Sequence, residues 1–194
     1  DYDYIVKQAV SLTPFYGPRG GITFSGGEPT VQAEALIPLF KRLREEHIHI
    51  CVDSNGAIWN KHVEELWNLT DLVMLDVKEM NPKRHRHITG RDNTQTLETA
   101  RWFEQNNHLF WLRYVLVPGV SDFEEDLHAL GQHFKDYVWL EKVQLLPYHT
   151  LGVHKYEALG WDYKLKDVSQ NTPEQKKRAE EILRSYFGQK LQVH

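Results

Sequence analysis

Five short runs rich in Ile, Val, Leu and Phe constrain this chain more than any other feature: Gly21 to Phe24, Ile48 to Val52, Leu72 to Val77, Leu109 to Val117 and Val143 to Leu146. Between them apolar residues recur every three or four positions, as in Ala33, Leu36, Phe40 and Leu43, then Val63, Leu66 and Trp67, then Leu97, Ala100 and Phe103, then Leu127, Leu130 and Phe134. A period near two or an unbroken apolar run suits a strand, and a period of 3.6 suits a helix. Regular alternation of the two predicts right-handed crossovers, a parallel sheet and helices packed outside it, with strands buried on both faces.

Local signals fix the register. Ile5, Ala9 and Leu12 read as the face of a first helix without a clear preceding cap. Ser121 with Glu124 has the spacing of a capping box, and Thr172, Pro173 and Gln175 form a second start signal. Ala179, Ile182, Leu183 and Tyr186 follow as an apolar face that stops at Gly188. The segment from Leu151 to Gln170 shows no periodicity and reads as a long ordered loop, and the Arg84-His85-Arg86-His87 run reads as a solvated loop face.

The 194 residues suit one domain, 1–194, able to bury a core without disulfides. A net charge of -4 without a basic block argues against nucleic acid, and no apolar run approaches the roughly 18 residues of a membrane span. The lone Cys51 and the lack of an apolar leader predict a cytoplasmic protein.

In parallel α/β folds the ligand site forms where loops leave the carboxyl ends of the strands. Those ends read Ser25-Gly26-Gly27-Glu28, Asp53-Ser54-Asn55-Gly56, Asp76-Val77-Lys78, Arg113 with Pro118-Gly119, and Pro147-Tyr148-His149. Gly26 and Gly27 serve either a tight turn or close approach of main chain to a ligand. Glu28 is either a loop charge or part of that approach, and Asp53 is either a ligand group or a helix cap. Asp76 and Lys78 alternate with apolar neighbours and point to one face. Burying both charges there is expensive without a partner, which favours a ligand. His149 reads as a structural or a catalytic imidazole, Arg113 as half of an internal ion pair or a substrate contact, and Cys51 as an inert core thiol. No spacing of His and Cys completes a transition-metal site.

Taken in order, Gly20 to Glu28, Cys51 to Gly56, Thr70 to Lys78, Arg113 to Gly119 and Leu145 to His149, with Leu151-Gly152 and His154-Lys155-Tyr156, resemble the activating enzymes of glycyl radical enzymes. These belong to the radical S-adenosylmethionine superfamily, and the likeness is strongest to activators of pyruvate formate-lyase. The resemblance implies an α/β fold, the partial (β/α)6 TIM-like barrel of that superfamily, here truncated at its first strand. It implies that Gly26, Gly27 and Glu28 meet the methionine end of S-adenosylmethionine, with Asp53 and Asp76 beside it and Lys78 and His149 contacting the cofactor. It places a monovalent cation among Asp53, Ser54, the Met74 carbonyl and Asp76, with Ser54 standing for a Thr. Arg113 would face the glycine loop of the protein substrate.

The implied reaction is reductive cleavage of S-adenosylmethionine by a [4Fe–4S] cluster to a 5′-deoxyadenosyl radical, which abstracts hydrogen from a backbone glycine of the partner enzyme. A flavodoxin or ferredoxin-type reductant would supply the electron. The cluster requires a CxxxCxxC loop, expected upstream of Asp1, and this chain contains none. No residue of this chain is therefore expected to be catalytic by itself, and the chain alone is expected to be inactive. The contrasting reading is a noncatalytic module that binds S-adenosylmethionine or a partner enzyme, and a weaker third is a hydrolase or aldolase using Asp76 and Lys78.

Overall fold

The computed structural model describes residues 1–18 and 20–194. In chain order the elements are α1 (Tyr2–Ser11), β1 (Gly21–Phe24), α2 (Ala33–Glu45), β2 (His49–Ser54), α3 (Lys61–Asn68), β3 (Leu72–Asp76), α4 (Pro82–Thr89), α5 (Thr94–Gln105), β4 (Phe110–Leu116), α6 (Glu124–Phe134), β5 (Leu140–Pro147), α7 (Val153–Ala158), α8 (Pro173–Phe187) and β6 (Leu191–Val193). The strands form one sheet in that same order, with β1 and β6 at its edges.

Registers show the strands parallel: Gly21 pairs with His49, Cys51 with Leu72 and Val143 with Leu191. The Val73 and Val77 amides bond the Leu109 and Arg113 carbonyls in the same sense. The alternating α/β plan expected from the apolar periods is therefore present, as an open sheet.

The chain divides into two compact units. The first comprises Asp1–Asp76, Asn93–Leu112 and Val138–Glu141. Its core is built on Phe40, Leu43, Ile50, Val52, Leu66, Trp67, Leu75, Phe103 and Phe110, none of them exposed. Trp67 and Phe103 meet edge to face at 5.4 Å, and Phe103 reaches Phe110 at 5.6 Å. Each such buried side chain contributes roughly 1.5–3 kcal/mol of transfer free energy, which outweighs the modest helix propensity of these aromatics. α1 buries Val6 and Ala9, whereas Leu12 is exposed beyond its end, so the expected face is rotated by one position. Asp1 caps it through the Asp3 amide.

The second unit comprises Val77–Asp92, Arg113–Tyr137 and Lys142–His194. Helices α6 and α8 pack closely, because Gly131 leaves room for the Tyr186 ring. A Cβ at Gly131 would stand 2.2 Å from it. The Thr172 and Gln175 capping box is formed, and α8 ends at Gly188 as expected.

Several expectations are corrected. The strands are not buried on both faces: β3 alternates buried residues with half-buried Met74 and Asp76, and β4 does so with Trp111 and Arg113. Ser121 caps no helix. Its hydroxyl accepts from the Val117 amide and donates to the Val115 carbonyl, stitching a turn instead. The 151–170 segment contains a helix, α7.

The Arg84-His87 run is helical too. Asn81 caps the Lys83 and Arg84 amides, Pro82 opens the first turn and Gly90, at φ 85°, closes the last. His85 is buried against the Arg91 carbonyl at 2.6 Å, and only part of the run is solvated. No helix among the described residues is long and apolar enough to cross a membrane.

Candidate cofactor site

At the carboxyl end of β1 the chain turns through Ser25, Gly26 and Gly27, all exposed. Gly26 has φ +131°, a conformation an L side chain rarely adopts. A Cβ on Gly26 or Gly27 would meet nothing within 4 Å, so the turn is open on the side where side chains would stand. Glu28 follows in extended conformation, as a residue before proline must.

Its side chain is no loose loop charge. Glu28 Oε1 accepts from the Thr30 amide at 3.1 Å, the Thr30 hydroxyl at 2.7 Å and the Ser54 hydroxyl at 2.8 Å, while Oε2 accepts from the Asn55 amide at 2.9 Å. Hydrogen bonds to an ionised acceptor contribute roughly 1.5–3 kcal/mol each. The two from Thr30 hold the carboxylate within its own turn, and the two from Ser54 and Asn55 tie the end of β1 to the end of β2.

The end of β2 is fixed from its other side as well. Ser54 Oγ accepts from the Gly56 amide at 3.0 Å, and Asn55 Oδ1 from the Ala57 amide at 2.9 Å. Thr96 and Thr99 of α5 donate to the Asn55 and Gly56 carbonyls, each at 2.8 Å. Gly56, at φ +62°, lies so close to Leu75 that a Cβ would approach it to 2.7 Å.

Asp53 caps no helix, since Asn60 opens α3. It pairs in register with Met74, which places Asp53, Met74 and Asp76 on one sheet face, all half-buried. Ser54 lies on the opposite face and its hydroxyl is committed to Glu28 and Gly56.

The second unit holds the remaining sequence-derived positions. Lys78 is half-buried just beyond β3, and Arg113 is half-buried within β4. His149 is exposed and directly follows Tyr148, whose amide donates to the Leu116 carbonyl at 3.1 Å and Asn171 Oδ1 at 2.8 Å. The Tyr148 and Tyr163 hydroxyls meet at 2.6 Å. Burial first, then that contact, pushes the Tyr163 phenol up to about 12.

Sequence reasoning missed a group beside Lys78. Glu79 is not exposed at all. Its Oε1 accepts from the Asn81 amide at 2.8 Å, and its Oε2 stands 3.5 Å from Arg84 Nε. Arg84 Nη2 in turn pairs with buried Asp126 and, at 3.2 Å, with Glu125. Burial, and then the neighbouring Asp126 carboxyl, raise Glu79 to about 7. The only textual signal was a second charge immediately after Lys78.

The bare glycine main chain and the flanking carboxylates suit a ligand with amino and carboxylate ends and hydroxyls to bind, as S-adenosylmethionine has. They do not suit an iron–sulfur cluster. Cys51, the chain's single cysteine, is buried within β2, and no group of three His, Cys, Asp or Glu among the described residues could hold a metal ion.

Comparison with known proteins bears on the same residues. The profile of the Radical SAM superfamily matches residues 1–130. The Pyruvate formate-lyase 1-activating enzyme of Escherichia coli (strain K12) is 41% identical over 185 residues, covering 94% of this chain and 75% of that protein. The Pyruvate formate-lyase-activating enzyme of Streptococcus mutans serotype c is 38% identical over 185 residues, covering 92% and 70%. A crystal structure of a domain of pyruvate-formate lyase-activating enzyme from Bacteroides vulgatus superimposes with TM-score 0.74 at 25% identity, covering 90% of this chain and 99% of that one.

Proposed function

The chain belongs to the radical SAM superfamily and, within it, to the pyruvate formate-lyase-activating enzymes, and from that premise we propose that it is the S-adenosylmethionine-binding core of an activator of pyruvate formate-lyase or a related glycyl radical enzyme. Its fold is the open α/β barrel of that superfamily, acting as a single domain over 1–194 in the cytoplasm. When bound and cleaved by one electron, S-adenosylmethionine supplies the 5′-deoxyadenosyl radical that takes hydrogen from a backbone glycine of the partner. A [4Fe–4S] cluster, whose ligands are not among these residues, would supply that electron from a flavodoxin or ferredoxin-type donor.

The chain's own residues bind and orient. The observation that carries the proposal is the exposed Gly26-Gly27 turn, open where side chains would stand and followed by Glu28, whose carboxylate accepts four hydrogen bonds. In this reading the glycine amides and carbonyls meet the methionine end, and the Glu28 carboxylate acts as the strap that sets them. Asp53 and Asp76 stand beside the cofactor and, with the Met74 carbonyl, hold a monovalent cation, whereas the Ser54 hydroxyl expected there is committed to Glu28 and Gly56. Lys78 and His149 contact the cofactor, and Arg113 faces the glycine-bearing loop of the protein substrate. The single buried cysteine favours one second reading, a noncatalytic module that binds S-adenosylmethionine or the partner enzyme.

Titration calorimetry tests the proposal. S-adenosylmethionine should bind at one saturable site, and Gly26→Val should weaken it by at least about tenfold, or 1.4 kcal/mol, without loss of cooperative melting. The chain supplied with iron, sulfide and reductant should form no 5′-deoxyadenosine. Absence of saturable binding at millimolar cofactor contradicts the assigned site, and turnover by this chain alone contradicts the assigned division of labour.

A further inference from the structure

A cavity of about 290 Å³ lies at the amino end of β2, lined by Arg44, His47, Ile48, His49 and Asp71, all within the first unit. The five residue steps from His49 to Ser54, at ~3.3 Å each, set it roughly 16 Å from the strand end that Glu28 holds. It is therefore not part of the cofactor site. Ligand pockets run upward from about 300 Å³, so a space of this size takes a small molecule.

The polar groups of the cavity are fixed in place but only partly used. Asp71 Oδ2 accepts from the Ile50 amide at 2.8 Å and Oδ1 from Arg44 Nη1 at 3.0 Å, while the same Nη1 reaches the Leu69 carbonyl at 3.3 Å. Both bonds of Arg44 thus leave from one nitrogen. Among the described residues nothing bonds its Nε or Nη2, or any ring nitrogen of His47 and His49. A guanidinium has donors to spare, and each imidazole carries at least one N–H in either tautomer, whereas Asp71 accepts. Three side chains that donate therefore surround one that accepts, and no group of His, Cys, Asp and Glu among the described residues is arranged for a metal ion.

His47 also occupies its place against a backbone preference. α2 ends in a closed turn, with the His47 amide bonded to the Arg44 carbonyl and the Ile48 amide to the Leu43 carbonyl, each at 3.0 Å. Such a turn needs one left-handed residue, ordinarily glycine, and His47 fills it at φ 57°. A side chain in that region costs stability that glycine would not. An imidazole held there gains a reason if its ring binds something.

We propose that this cavity binds phosphate, free or as a small monoester, in a form that keeps one P–OH. The oxyanions take N–H groups of Arg44, His47 and His49, and the P–OH donates to Asp71. A phosphate matches the lining because it combines several acceptor oxygens with one acidic hydroxyl. A fully ionised anion such as sulfate offers Asp71 only charge repulsion. The site stands independently of the cofactor assignment.

Titration of the whole chain with sodium phosphate at pH 6 and constant ionic strength, followed by the imidazole resonances, tests this. His47 and His49 should shift along one saturable curve, and buried His85 should stay still. Inorganic phosphate keeps a P–OH at this pH and sulfate has none, so sulfate should bind at least about tenfold more weakly, the size of one hydrogen bond to a charged group. Glycerol phosphate binding more tightly than inorganic phosphate would identify the ester as the occupant, and the reverse order the free ion.

His47→Gly should weaken phosphate several-fold while raising the melting midpoint, a split that a merely structural imidazole would not give. Asp71→Asn should bring sulfate to within a few-fold of phosphate, and if it fails to fold, the wild-type ratio of the two anions decides. Shifts that never saturate overturn the proposal, as do equal affinities for phosphate and sulfate in the wild type. A His47→Gly chain that binds phosphate as the parent does overturns it too.

Discussion

Glu28 and Glu79 each follow the carboxyl end of a parallel strand, and each closes the turn behind it, but the surroundings of the two carboxylates are built in opposite ways. Glu28 is met by two amides and two hydroxyls, donors on both of its oxygens. Glu79 is fully buried, accepts from the Asn81 amide and stands 3.5 Å from an Arg84 guanidinium that Asp126 also claims, and burial raises it to about 7. The same residue type at the same topological place thus gives a strap between two strand ends in one unit and a buried acid raised by its burial in the other.

The largest effect should come from breaking the strap. Glu28→Ala leaves the Thr30 and Asn55 amides and two hydroxyls without their acceptor, and should cost about 3 kcal/mol in denaturant unfolding at constant m-value. A cost under about 1 kcal/mol would show that water replaces the carboxylate and that the strap is not structural.

The next effect has the opposite sign and depends on pH. Glu79 holds its proton in the native state up to about 7, while an unfolded chain releases it near 4.5. The native state therefore binds more protons between those values, stability falls as the pH rises through that window, and it is flat above. Glu79→Gln should remove this fall and at pH 8 should stabilise the chain by on the order of 2 kcal/mol. The largest variant-minus-parent difference should appear above pH 7 and fade below pH 5. A constant difference across that range would make the two carboxylates alike after all.

The smallest effect should come from Gly26→Ala. Its Cβ meets open space, so only the φ of +131° opposes it, at about 1–2 kcal/mol. Gly131→Ala should cost more, because its Cβ meets a ring and nothing can give without moving α6 from α8. If Gly26→Ala proves the costlier of the two in thermal melts, the Gly-Gly turn is packed rather than open.

Strands β1 to β5 were legible because each is a short apolar run. β6 was not, because Leu191–Val193 is three residues long and gains its place only by pairing beside Val143–Leu145. α4 escaped because it has no apolar face: its start and stop are written in Asn81, Pro82 and Gly90, yet only His85 is buried. At the site, the positions of Gly26, Gly27, Asp53 and Asp76 at strand ends could be read directly.

The role of the Glu28 side chain could not. Its bonds to Ser54 and Asn55 span 26 and 27 residues and exist only once β1 lies beside β2. For the same reason Asp126, 47 positions from Glu79, reads from its own segment as an ordinary acid in the first turn of α6. Periodicity reports which face of an element is apolar, and it is silent about which polar groups meet across elements.

The most direct measurement is the amide hydrogen-exchange footprint of S-adenosylmethionine on the whole chain at pH 6. Protection should rise at 25–28 and 53–55, where glycine main chain and strand end are held together by Glu28, and Glu28→Ala should erase it. Protection confined to other segments, or an undiminished footprint in Glu28→Ala, would contradict the placement of the cofactor at this turn.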